Sequence, residues 1–346
     1  MKILSIETSC DETACAVVEN GHTVLANVIA SQIDLHAKTG GVVPEVAARE
    51  HVLKIIPVLE EGLAKSACTW DDIDAIAVTK GPGLISSLII GTEAANVISY
   101  VKNKPLIPVQ HIVGHIYSNW LEIDDEIEFP VLILTVSGGH NELVLMRDHF
   151  EFEVLGETRD DASGEAFDKV ARILGMGYPG GPLISKAAED GDKNSFRLPR
   201  AYLEKDSFDF SFSGLKTAVL NKAKAYAKEN GIEDAKDFDP QFRADLSASF
   251  QEAVVEVLAK KMFMAVEKYP EIREIHLAGG VSANSRLREI ISELNQKNLK
   301  FRFPKQISYC TDNAAMIGAA AYYLLQKNPN KYQSKRNIIP STSFEF

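Results

Sequence analysis

The sequence predicts a duplicated α/β fold, in which two copies of one strand-and-helix unit face each other across a cleft. Three internal matches carry that prediction. "ILSIETSCDETACAVV" (3–18) aligns without gaps on "LILTVSGGHNELVLM" (132–146) when Ser9 is placed over Ser137. "IDAIAVTKGPG" (73–83) follows the pattern of "IREIHLAGGVS" (272–282). "PLIPVQHIVGH" (105–115) follows that of "FRFPKQISYCTDNAAMIGAAA" (301–321). A single glycine after a strand is common in α/β proteins. Three matches in one order are far harder to reach by chance.

Each first element is an apolar strand, a tight polar turn and a second apolar strand. The turns, "TSCDET" and "VSGGHNE", are built of small and polar residues. Such turns leave backbone N–H groups free to face an anion. Each second element is a strand ending in a glycine turn, then a helix: "LISSLIIGTEAANVIS" in one copy, "ANSRLREIISEL" in the other. Each third element is a strand, a proline and a helix. Strands alternating with helices imply α/β layers, whose ligands sit beyond the strand ends. Residues 1–130 are expected to form the N-terminal half, with the segment 326–346 returning to it. Residues 131–325 form the C-terminal half, with an insertion of about 159–270 that reads as helices. The last of these helices opens with Asp-Pro and carries apolar residues at three-to-four spacing.

At 346 residues the chain is too long for one ordinary core. Its 45% hydrophobic and 25% charged residues are those of a water-soluble globular protein. No apolar run is long enough to span a bilayer, and "MKILSIETSC" reads as a buried strand rather than a secretory signal. A cytoplasmic protein without membrane association is expected. Cys10, Cys15, Cys68 and Cys310 are scattered, with no CxxC pair, so neither a structural zinc site nor a disulfide framework is expected. The net charge of −11 lacks the basic excess of a chain that binds nucleic acid unaided. Basic residues cluster locally at 193–200 and 297–306, and Lys193, Arg197 and Arg200 are the first candidates for phosphate contact.

"HIVGHIYSNW" (111–120) puts His111 and His115 one helical turn apart on one face. The repeat arrangement brings the start of a second helix, in "YCTDNAAMIGAA", toward them. Asp312 there reads either as the N-cap of that helix or as a carboxylate ligand. Two histidines and a carboxylate with open positions suit iron(II), and also zinc, manganese or nickel. Ile112 stands where a zinc protease HExxH motif has its glutamate, so that reaction has little support. His140 adjoins a glycine turn and is a further candidate for ligand contact.

Taken together, "SIETSCDET", "TGGVVPEVAAREH", "KGPGL", "HIVGHIYS", "VSGGHNEL", "DDASGEAFDK", "YPGGPLISKAA", "FSFSGLKTAV", "LAGGVSANSRLR" and "CTDNAAMIG" resemble the bacterial tRNA threonylcarbamoyltransferase family (TsaD, formerly the O-sialoglycoprotein endopeptidase or Gcp family). The motifs span nearly the whole chain. The resemblance implies the duplicated actin/sugar-kinase/Hsp70-like (ASKHA) fold. It implies transfer of a threonylcarbamoyl group from threonylcarbamoyl-AMP to N6 of the adenosine 3′ of the anticodon, in tRNAs reading codons that begin with A. It implies one divalent metal per chain, Fe2+ or Zn2+, on His111, His115 and Asp312. Thr135, Val136, Ser137, Gly138 and Gly139 would hold the phosphate or acyl part of the adenylate. Asp168, Gly181 and Asn284 would contact its nucleoside or neighbouring groups, and Asp11 and Glu12 would serve catalysis at the other turn. The implied partners are a paralogous actin-like subunit (TsaB) and a small P-loop ATPase (TsaE). Two other readings remain at this stage: a small-molecule kinase of the same fold, and a non-catalytic scaffold subunit. The His pair argues against both.

Overall fold

The computed structural model describes residues 1–204, 206–332 and 337–343. The chain divides into two units. Unit 1 comprises Met1–Ile127, Asp148–Glu151 and Phe303–Phe346, and unit 2 comprises Glu128–Arg147 and Phe152–Arg302.

In unit 1, strands β1 (Lys2–Glu7), β2 (Glu12–Glu19) and β3 (Thr23–Ser31) form an antiparallel meander. A short helix α1 (Ile33–Ala37) and the long helix α2 (Pro44–Lys65) follow. Pro44 opens α2, where a missing N–H costs nothing. Strand β4 (Ala75–Gly81), helix α3 (Ile85–Lys102), strand β5 (Leu106–Gln110) and helix α4 (His111–Tyr117) complete the repeat. The sheet order is β3-β2-β1-β4-β5, with β4 and β5 parallel to β1. β1 and β4 are covered on both faces, so they are buried almost throughout rather than alternately.

Unit 2 repeats this plan with β6 (Val131–Val136), β7 (Asn141–Asp148), β8 (Glu151–Glu157), β9 (Glu274–Ala278) and β10 (Lys300–Arg302). Its order, β10-β9-β6-β7-β8, is the unit 1 order read from the other edge. The duplication inferred from the sequence is therefore present strand for strand. Each sheet also holds a third strand, β3 or β8, that the repeat alignment left out. The insertion consists of α5 (Ser163–Ile173), α6 (Gly180–Ala188), α7 (Ser213–Asn230) and α8 (Pro240–Lys268). Asp239 caps α8 by accepting from the Gln241 and Phe242 amides. Helix α9 (Ser285–Leu294) lies between β9 and β10 in the chain.

One expected boundary is corrected. Chain order assigned residues 303–325 to the second half, but packing assigns them to unit 1. The short helix α10 (Ile307–Cys310) leads into α11 (Ala314–Lys327), which lies against β1, β2, β3, β5 and α4. Its small residues allow this: a Cβ on Gly318 would stand 2.8 Å from Val18 Cγ2. The Ser5 hydroxyl donates to the Ala314 carbonyl at 2.6 Å, tying helix to strand. Beyond it, the Ser341 amide donates to the Lys80 carbonyl and Ile338 pairs with the Asn96 side chain, so the described tail does return to unit 1. Residues 333–336 and 344–346 of that segment lie outside the described residues.

Candidate functional site

Unit 1 assembles the histidine pair from local rules. Strand β5 runs directly into α4 because the Gln110 side chain accepts from the Val113 amide at 2.7 Å and caps the helix. His111 is thus the first helical residue, and His115 follows one turn later on the same face. Their rings meet edge to face, with centroids 4.7 Å apart. Gly114 lets α11 approach: a Cβ there would stand 2.7 Å from Ile317 Cδ1.

Asp312 arrives on the turn before α11. The N-cap of that helix is Asn313, whose Oδ1 accepts from the Met316 amide at 3.1 Å. The capping reading of Asp312 is therefore set aside, and its carboxylate is left for the histidines. Asp312 Oδ1 lies 3.5 Å from His111 Nε2 and 3.2 Å from His115 Nε2. The three donor atoms fall within 4.8 Å of one another. An ion about 2.1 Å from each donor needs donors roughly 3–4 Å apart, a separation that both Asp312 distances meet. The expectation that Asp312 comes from the opposite half is corrected, since all three residues belong to unit 1.

The hydrogen bonding fits a metal as well. His115 is 1% exposed, and neither of its ring nitrogens makes a well-directed hydrogen bond among the described residues. Its Nε2 touches Asp312 without the alignment of a donor and acceptor, as ligand atoms converging on one point would. His111 Nδ1 lies 3.1 Å from Glu7 Oε2, to which it donates, and 3.1 Å from Ser9 Oγ, so in the neutral ring the lone pair is on Nε2. Burial pushes His111 down, but Asp312 and Glu7 outweigh it and raise the ring to about 9. Burial, helped by the neighbouring His111, holds His115 below the ordinary imidazole value. Burial would raise Asp312, yet the two histidines bring it to about 2.

Asp11 and Glu12 sit at the β1–β2 turn. Asp11 is 6% exposed, and its carbonyl accepts from the Gln32 amide. Burial, then Asp312 and Asp11, push Glu12 well above the usual carboxylate range, and Ser31 donates to it at 2.9 Å.

Unit 2 builds a second feature around the β6–β7 turn. The Ser137 amide donates to the His140 carbonyl, closing the turn. The first amides of α5 rest on it: Gly164 donates to the Ser137 carbonyl and Glu165 to that of Gly138. Gly279, at φ +82, lies so close beneath that a Cβ would stand 2.4 Å from the Val136 carbonyl oxygen. Above the turn there is open space, with no heavy atom within 4 Å of where a Cβ of Gly138 or Gly139 would stand. The Gly138 and Gly139 amides donate to no acceptor among the described residues. Free amides in a tight glycine turn make a cradle for an anion.

The other expected contacts divide. Thr135 is buried, and its hydroxyl has no partner among the described residues. The Val136 side chain is in the core, so only its backbone is available. Asp168 accepts from the Gly180 amide at 2.7 Å and holds the start of α6. Gly181 faces open space. Asn284 is engaged in structure: its Oδ1 caps α9, and its Nδ2 donates to Ser185 Oγ and Gln251 Oε1. Of the basic candidates, Lys193 is paired with Glu252 and Arg200 with Glu256, which weakens their case as phosphate contacts. Sequence reasoning passed over Glu7, Ser9 and Thr79. The available signal was a lone acid ending the apolar run "ILSIE".

The model of the tRNA N6-adenosine threonylcarbamoyltransferase family matches residues 23–319. A Bacillus cereus protein of that description is 55% identical over 320 residues, covering 92% of this chain and 90% of its own. One from Thermomicrobium roseum is 52% identical over 343 residues, covering 94% and 93%. Among solved structures, full-length HypF in a phosphate- and nucleotide-bound form aligns with TM-score 0.60 at 14% identity, covering 96% of this chain and 56% of that one. Component A of the (R)-2-hydroxyglutaryl-CoA dehydratase of Acidaminococcus fermentans aligns at 0.53 and 14%, covering 94% and 98%. These likenesses concern the fold, which is of the actin/sugar-kinase/Hsp70-like class. No helix of the described residues is long and apolar enough to cross a membrane.

Proposed function

The chain belongs to the tRNA N6-adenosine threonylcarbamoyltransferase family, and from that premise we propose that it takes threonylcarbamoyl-AMP as donor and the N6 amine of the adenosine 3′ of the anticodon as acceptor. The observation that carries the site assignment is the meeting of His111, His115 and Asp312 in one unit, with a buried carboxylate behind His111. This set of two imidazoles and one carboxylate would hold one divalent ion: Fe2+ first, because two histidines and one carboxylate with open positions are an iron(II) pattern, and Zn2+ second. Bound there, such an ion supplies positive charge to polarise a carbonyl or neutralise a phosphate.

The protein's own groups do the rest. The Gly138 and Gly139 amides, in the β6–β7 turn, bind the phosphate or acyl oxygens of the adenylate and hold developing negative charge. Thr135 offers its unpartnered hydroxyl to the same ligand, and Asp168 and Gly181 shape the nucleoside end. The N6 amine is a poor nucleophile because its lone pair is delocalised into the ring. As N6 bonds to the carbamoyl carbon, the bond from that carbon to the phosphate oxygen of AMP breaks. The Asp11 carboxylate accepts the proton lost from N6, and AMP leaves as the anion. Glu12, whose carboxyl burial pushes upward, stands beside it at the same turn as a second catalytic carboxyl. The acceptor adenosine reaches the site from a single-stranded loop, where unstacking is cheap.

The paralogous actin-like subunit covers the apolar face of α2 and α3, and the P-loop ATPase joins that assembly. The test is reconstitution: purified chain, both partners, threonylcarbamoyl-AMP and unmodified tRNA. Threonylcarbamoyladenosine in the digested tRNA is the expected product. Its absence, with the same mixture consuming ATP and simple sugars, would favour the kinase reading.

A further inference from the structure

We propose that Glu7, held by Thr79 and the Ser9 amide, is a positioning residue for the His111 ligand, fixing the tautomer and ring orientation with which that imidazole meets a divalent ion. The inference rests on the metal-centre reading above and adds residues that none of the matched motifs assigns to a role. Its basis is the sheet. β1, β4 and β5 are adjacent and parallel, with Ile6 opposite Val78 and Thr79 opposite Val109. Glu7, Thr79 and His111 therefore stand in a row along the carboxyl edge of three neighbouring strands, where α/β sheets place their ligand sites.

The contacts leave the carboxylate no freedom. Glu7 Oε1 accepts from the Ser9 amide at 2.5 Å. Glu7 Oε2 accepts from Thr79 Oγ1 at 2.6 Å and from His111 Nδ1 at 3.1 Å. Glu7 and Thr79 are both 0% exposed, so water does not compete for these bonds. With both oxygens fixed, the proton of a neutral His111 stays on Nδ1 and the Nε2 lone pair faces Asp312. A carboxylate behind a ligating histidine also raises the basicity of its other nitrogen. His115 has no such support, since its Nδ1 is buried without a hydrogen bond among the described residues. Burying a carboxylate carries a large desolvation penalty. An apolar side chain would serve the packing of β1 alone, so the acid needs a reason beyond the fold.

The test titrates the full-length, metal-stripped protein with Co2+ and with Zn2+ against a competing chelator. Wild type, Glu7→Gln, Thr79→Val and His111→Ala are compared, with the melting temperature of each metal-free form. Glu7→Gln should bind both ions roughly 10- to 100-fold more weakly, with a shifted Co2+ visible spectrum. Thr79→Val should weaken binding several-fold in the same direction, while the melting temperature of its metal-free form stays within a few degrees of wild type. Wild-type affinity and spectrum in Glu7→Gln and Thr79→Val would overturn the inference. If Glu7→Gln does not fold, Thr79→Val decides alone, because it keeps the carboxylate and the volume. A wild-type protein that binds neither ion would sink the metal-centre reading itself, which is a separate result.

Discussion

A proton and a divalent ion compete for one lone pair on His111. In the metal-free protein the Asp312 and Glu7 carboxylates outweigh burial and hold that ring at about 9, while burial keeps His115 neutral. Metal binding at neutral pH must therefore release one proton. The account predicts that affinity for Zn2+ rises about tenfold per pH unit from 6 to about 9 and then levels. Titration in weak buffer, with proton release counted, checks this; a flat profile contradicts it. The sign for stability is the reverse. A raised imidazole pKa stabilises the metal-free fold fully below its ordinary value, and that contribution fades as pH climbs through about 9. At the neighbouring turn, Asp11→Asn should bind the adenylate normally but transfer on the order of 100-fold more slowly in a single turnover. An unchanged rate would make Asp11 a structural residue of the turn, where its carbonyl already accepts from Gln32.

Among the elements, the β6–β7 turn allows folding and binding to be separated. Gly138 has open space where a side chain would go. Gly138→Val should keep the melting temperature and lose at least about tenfold in adenylate affinity, since the side chain would occupy the anion's place. Calorimetric titration showing unchanged affinity would move the phosphate elsewhere. The repeat was legible because buried strands keep near-continuous apolar runs and their turns keep small residues. β8 was not, because its outward residues are largely exposed and its apolar alternation is faint. The placing of α11 was missed because chain order says nothing about which sheet a helix covers. Asp312 and Asn313 are both competent caps, and only the observed hydrogen bond to Met316 separates them. The His-His-Asp set was legible from spacing and repeat position. Glu7 was hidden by the strand it ends, because pairing partners across parallel strands are set by register, which one sequence does not display.

At the scale of the whole molecule, charge and exposed apolar surface point the same way. A net charge of −11 opposes an anionic substrate, whose phosphates supply most of the affinity in nucleic-acid binding. Val52, Leu53 and Ile56 on α2 and Val97, Tyr100 and Val101 on α3 are exposed by 57–72%. The two helices pack together, so these residues belong to one helical layer that suits a protein partner. Leu53→Glu with Ile56→Glu should abolish co-elution with the paralogous subunit while leaving metal content intact; retained co-elution would place the interface elsewhere. The central claim is that a metal held by His111, His115 and Asp312 serves transfer to tRNA. It is tested most directly by elemental analysis of the His111→Ala, His115→Ala double variant, paired with its yield of threonylcarbamoyladenosine in the reconstituted mixture. The account predicts a folded protein with less than about a tenth of the wild-type metal, given the affinity lost with two of three ligands, and no modified nucleoside. Full metal occupancy, or wild-type transfer without metal, would contradict it.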